Sequence, residues 1–201
     1  MKGAVMTRKL RDIAMLSLTE DAVLIILCRL GSIGRITLSR ILDLPEGIVR
    51  GIIYRMSSSN LLEATGRGVR LTEKGYEEVS KLLGRRSIED IVIQKPGFLG
   101  LSMPSVILHI RGKAGSIGLG LEERDRAIAT GAKALVAIKY MGGCLQIPGV
   151  AEDMKGENEP YAHILRERLR LKDGDLILAV FSDNVWRALI AALHVADNIP
   201  A

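Results

Sequence analysis

Residues 34–75 of the chain read GRITLSRILDLPEGIVRGIIYRMSSSNLLEATGRGVRLTEKG, and this stretch decides what the front half can be. It reads as a short strand, two helices joined by a turn, a β-hairpin and the start of another helix. Thr37 or Ser39 is expected to cap a short helix through Ile41 and Leu42, and Leu44-Pro45-Glu46-Gly47 then breaks the chain and starts a second helix. On that second helix Ile48, Ile52 and Met56 recur at helical spacing, with Val49 and Ile53 beside them, so this side is expected to face inward. The other side carries Arg50 and Tyr54, one turn apart, with Gly47, Gly51, Arg55, Ser57 and Ser58 around them. Glycines without side chains let a phosphate backbone come close, and an arginine is long enough to reach base edges or phosphates in a major groove. Such a face suits double-stranded DNA.

Leu61 to Ala64 and Val69 to Thr72 follow as candidate antiparallel strands around Thr65-Gly66-Arg67-Gly68. Arg67 and Arg70 would stand on this narrow basic loop, and Thr72 is expected to cap the next helix. The run SSSNLLEATGRGVRLTEKGYEEVSKLL resembles the second half of a winged helix-turn-helix of the MarR-type and related archaeal regulators. That resemblance, over residues 19 to 84, implies DNA binding. It assigns the recognition role to Arg50, Tyr54 and Arg55, and the wing role to Arg67 and Arg70. Winged helices also serve as protein-interaction modules, so this alternative stands beside DNA binding.

The charge is unevenly shared. Residues 1–86 hold 15 Lys or Arg against 9 Asp or Glu, a balance of +6, whereas residues 87–201 carry −1. A polyanionic partner is therefore expected for the first half alone. Aromatic residues make up only 3% of the chain, which argues against a surface built to stack unpaired bases. With two cysteines, Cys28 read as helix core and Cys144 in a Gly-Gly-Cys turn, neither a disulfide framework nor a zinc cluster is expected, and a reducing cytoplasm fits. The start MKGAVMTRKLRD lacks a signal-peptide core, and no apolar run reaches the ~20 residues of a membrane span.

Upstream of the decisive stretch, Val5, Met6, Leu10, Ile13 and Ala14 predict a short amphipathic helix, and TEDAVLIILCRL at 19–30 a buried one capped by Thr19. Downstream, the helix from residue 72 is expected to stop at Gly84, which divides the chain into a DNA-binding domain at 1–86 and a second domain at 87–201. Arg85 and Arg86 read as a basic rim or an exposed helix end. The second domain alternates strands (88–94, 105–110, 134–140, 144–147 and 176–181) with helices (119–130, 161–171 and 184–196), which predicts an α/β or α+β layer structure. Its segments LEERDRAIATGAKALVAIKY and GDLILAVFSDNVWRALIAALHVAD resemble a family of uncharacterised archaeal regulators, which adds architecture and no mechanism.

Within GKAGSIGLGLEERDR, residues 112–126, the glycines read first as a structural turn. The alternative is a ligand cradle formed by Gly115, Gly118 and Gly120, with Arg124 and Asp183 as polar neighbours. Neither a dinucleotide fingerprint nor a P-loop is spelled out. Ser182-Asp183-Asn184 reads as a helix cap, and His109, His163 and His194 are scattered without metal or acid-base spacing. No catalytic constellation, cofactor or metal is expected. The sequence thus points to a dimeric transcriptional regulator whose second domain dimerises, senses a small molecule, or both. An enzyme with an attached DNA-binding domain remains the alternative.

Overall fold

The computed structural model describes residues 2–200, with side chains described from Met15 onward. The chain divides into two compact units, Met1–Leu82 and Leu83–Ala201.

In the first unit the backbone of α1 (Lys2–Leu30) is one helix of 29 residues. The expected stripe of Val5, Met6, Leu10, Ile13 and Ala14 lies outside the described side chains. Thr19 is no cap, because the helix runs through it and its hydroxyl donates to the Met15 carbonyl one turn back (2.8 Å). Cys28 is exposed and not core, since the fully buried run of α1, Ala22 to Leu27, ends just before it. Next come α2 (Arg35–Leu42) and α3 (Glu46–Ser58), joined through Asp43, whose left-handed φ of 54° turns the chain. The first residue of α2 follows Gly34, so Thr37 and Ser39 are interior; Ser39 Oγ instead donates to the Leu44 carbonyl (2.6 Å) and braces the turn.

The hairpin β1 (Leu62–Thr65) and β2 (Gly68–Leu71) pairs Leu62 with Leu71 and Thr65 with Gly68, leaving Gly66-Arg67 as a two-residue tip. Ile33 adds a third antiparallel rung by exchanging two backbone hydrogen bonds with Val69, both 3.0 Å. Here Gly68 is required: its φ is +130°, and a Cβ would collide with the Ile33 carbonyl. Thr72 Oγ1 accepts from the Gly75 N–H (3.0 Å) and so caps α4 (Glu73–Arg85), which runs through Gly84 instead of stopping there. This order of helices, hairpin and closing helix is that of a winged helix-turn-helix.

The second unit is an α+β layer structure. Its strands are β3 (Ile88–Gln94), β4 (Ser105–Ile110), β5 (Ala134–Met141), β6 (Cys144–Gln146) and β7 (Asp175–Phe181), in the spatial order β3-β4-β7-β5-β6. Every neighbouring pair is antiparallel. The helices are α5 (Leu121–Ala129), α6 (Glu159–Arg168) and α7 (Val185–Asp197). The central strands β4 and β7 are buried along their whole length, because α5 and α7 lie on one face of the sheet and α6 on the other. Alternation assigns the sides: Ile177, Ala179 and Phe181 of β7 join Ala162 and Leu165 of α6 and Leu169 in one core, while Leu176, Leu178 and Val180 point the other way. Asn184 caps α7 by accepting from the N–H groups of Trp186 (2.8 Å) and Arg187 (3.4 Å).

Candidate nucleic-acid interface

The inward stripe of α3 is Val49, Ile52 and Met56, all at most 2% exposed. Ile48, expected inside, is 48% exposed, because Val49 occupies the inward position of that turn and the stripe steps by three and four residues instead of by four alone. Rotating that register by half a turn puts Gly47, Arg50, Gly51, Tyr54 and Ser58 on the opposite side. Tyr54 is 73% exposed, and Arg50, Ser57 and Ser58 are also exposed. Among the described residues no ion pair engages Arg50. A Cβ built on Gly47 meets nothing within 4 Å, and one on Gly51 meets only the tip of Arg55, at 3.6 Å. Packing therefore does not demand glycine at either position.

Arg55 is less available than its position on the helix suggested, since its guanidinium pairs with Glu20 of α1 at 2.8 Å. At the hairpin, Arg70 pairs with Glu63 across the strands at 2.6 Å. Arg67 sits at the tip, exposed, with its own backbone N–H held by Thr65 Oγ1 (3.2 Å) and no described partner for its guanidinium. Three contacts fasten the end of α3 to the base of the hairpin and α4: Thr72 Oγ1 donates to the Asn60 carbonyl (2.7 Å), Lys74 Nζ to the Ser59 carbonyl (3.0 Å), and the Thr72 N–H to the Leu61 carbonyl (3.0 Å). Gly75 permits the approach, because a Cβ there would strike the Leu61 carbonyl. Sequence reasoning passed over Arg40 on α2, which is exposed and unpaired among the described residues; its position opposite buried Leu38 and Leu42 was the available signal.

In the second unit the proposed ligand residues divide. Gly118 and Gly120 line a cleft of about 480 Å³ at the start of α5, together with Glu123 and Arg126. Gly115 is not part of its wall. Arg124 turns to its neighbour Asp125 (3.0 Å), and Asp183 pairs with Lys133 (3.5 Å), so neither lines the cleft.

His109, read as isolated, belongs to a buried network. Its Nε2 donates to Asp175 Oδ2 (2.7 Å), which also accepts from Arg111 (2.6 Å) and from the Lys172 N–H (2.8 Å), while Oδ1 accepts from the Gly112 N–H (3.1 Å). Burial works to raise the pKa of Asp175, but the hydrogen bonds from His109, Lys172 and Gly112 outweigh it and hold the carboxylate below its usual range. Arg111 extends the network to Glu89 (3.1 Å), whose pKa the guanidinium lowers by hydrogen bonding. A carboxylate with four donors is a structural clamp on the ends of β4 and β7. The sequence hid it because residues 109 and 175 meet only through strand register. Arg86 is likewise no rim residue: it is 5% exposed and its guanidinium grips Asp197 of α7 at 2.7 Å.

The fold and this surface define a two-unit protein, a winged helix-turn-helix followed by an antiparallel sheet covered by helices on both faces. Residues 101–199 match a family described as a domain of unknown function, DUF4443. A hypothetical protein from Pyrococcus horikoshii OT3 is similar in structure, with a TM-score of 0.71 and 24% identity over 90% of this chain and 91% of that chain; at this identity the likeness speaks for the fold alone. No curated protein matches. Among the described residues no helix is long and apolar enough to cross a membrane.

Proposed function

We propose that this protein is a cytoplasmic, sequence-specific transcriptional regulator that binds double-stranded DNA as a homodimer. In this reading α3 enters the major groove and the Gly66-Arg67 tip contacts the neighbouring backbone. The observation that carries it is the outer face of α3, where an Arg50 unpaired among the described residues and an exposed Tyr54 flank two glycines that the fold does not need. Arg67, exposed and without a guanidinium partner among the described residues, and the +6 balance of residues 1–86 add to it. A protein-docking role for the same face would be favoured by an apolar surface, and this one is polar and basic apart from the Tyr54 ring and Ile48. The second unit would hold the dimer together or respond to a small molecule, and the protein would act by binding, without catalysing a reaction.

The test is duplex binding by fluorescence anisotropy at low ionic strength. Wild type should bind with a log-log salt slope of about −0.9 per phosphate neutralised. The variant carrying both Arg50→Glu and Arg67→Glu should lose retention while keeping its circular dichroism, and unchanged binding would refute the assigned surface. Sedimentation should give a dimer.

A further inference from the structure

We propose that the outer face of α5 is a self-complementary surface on which a second copy of this chain docks antiparallel, about a two-fold axis that passes between Arg124 and Asp125. The inference gives a surface to the homodimer of the proposed function and rests on that reading for the subunit count alone, since no DNA contact enters it. The residues that α5 turns inward are Glu123 and Ala127. On the opposite side, at helical spacing, stand Leu121, Arg124, Asp125 and Ile128, all exposed. Leu121 and Ile128 lie two turns apart, roughly 10 Å along the helix, and are 50% and 47% exposed. Exposed aliphatic residues scattered singly are ordinary, but here Leu119 and Val150 continue the strip beyond the start of the helix, with Leu119 leaning on Gly149.

The order of these four residues, apolar, cation, anion, apolar, selects the partner. With two α5 helices antiparallel and the axis midway between residues 124 and 125, Leu121 of one copy faces Ile128 of the other and Arg124 faces Asp125, each pairing occurring twice. One rule thus satisfies all four positions, which is the condition for an isologous contact. A parallel arrangement would set Arg124 against Arg124 and Asp125 against Asp125, and charge alone rejects it. In the single chain Arg124 donates through two nitrogens to one oxygen of Asp125, at 3.1 and 3.0 Å. Neighbours along a helix do not point at each other, and both side chains stay open to water, so each is placed to exchange this partner for the other copy's. A purely acidic or purely basic partner would match one charge and repel the other, and an apolar groove would desolvate both. A helix of nine residues, about 14 Å long, gives a contact below the ~800 Å² per partner of a standard interface, so self-association in the micromolar range is expected.

Sedimentation equilibrium of the full chain over a range of concentrations tests the assignment, with circular dichroism to check that each variant is folded. Wild type should dimerise reversibly. Arg124→Asp and Asp125→Arg should each weaken the dimer by about tenfold or more, because each sets like charges opposite one another on both sides of the axis. Combining the two reverses the pair and should restore the wild-type dimer. Leu121→Glu with Ile128→Glu should abolish association while leaving the inward face of α5 untouched, since both positions are exposed. A dimer that survives this last change, or single charge variants that weaken it without rescue by their combination, would overturn the surface and leave a homodimer standing. A wild-type chain that stayed monomeric at every concentration would overturn both. The DNA face is read separately, because Arg50→Glu with Arg67→Glu should dimerise as wild type does.

Discussion

Replacing Gly47 and Gly51 by alanine should make the first unit more stable and a poorer DNA binder, two effects of opposite sign from one change. Both glycines lie in α3 without positive φ, and neither Cβ would meet a backbone atom. Alanine in an exposed helix interior is favoured over glycine by about 0.5–1 kcal/mol. Gly51 is mid-helix and should realise most of that gain; Gly47, second in the helix, should realise less. The pair should therefore add about 1–1.5 kcal/mol, seen as a higher urea midpoint and a melting temperature raised by about 5 °C. In the proposed complex the same two methyl groups would stand between helix and phosphate backbone, and a loss of about tenfold in affinity, about 1.4 kcal/mol, is expected. Urea melts and anisotropy on a random-sequence duplex measure the two quantities on one preparation. A stabilised variant that bound DNA as wild type does would refute the claim that this face meets the duplex, and a destabilised one would refute the open environment of both glycines.

At the hairpin, Glu63→Gln should release Arg70 from its 2.6 Å ion pair and tighten duplex binding several-fold, while Arg67→Ala should flatten the salt slope by about 0.9; titrations at several salt concentrations check both. Gly68→Ala should cost about 2–4 kcal/mol, because it combines a positive φ with a clash against the Ile33 carbonyl, and a thermal melt would reveal the loss. Asp175 has a lowered pKa, so its contribution is complete above the unfolded value of about 3.9 and is lost as pH falls through the lower folded value. Asp175→Asn should destabilise the second unit by about 3 kcal/mol near neutrality and remove this part of the acid sensitivity, measured by urea unfolding across pH; an unaltered pH profile would contradict the network's role.

The order of elements was open to sequence reading because local chemistry signals it. Pro45 starts α3, the glycine-arginine tip makes the hairpin, Thr72 caps α4 and Asn184 caps α7, all through atoms within a few residues of one another. The basic outer face of α3 was legible for the same reason, since helical spacing alone separates Arg50 and Tyr54 from Ile52 and Met56. The inward stripe was misread by one position, because an apolar run as dense as Ile48-Val49 and Ile52-Ile53 admits two registers and only packing selects one.

Strand direction and charge pairing were decided by tertiary structure. Continuous apolar runs such as VILHI and LILAVF announce burial on both faces, yet a helix-covered antiparallel sheet and a parallel one meet that requirement equally. The insertion of β7 between β4 and β5 settles it, and the same insertion brings Asp175 to His109 across 66 residues of chain. Arg55, Arg70 and Arg86 looked equally free as letters; whether a carboxylate stands beside each depends on which segments the fold brings together, and helical or strand periodicity carries no information about that.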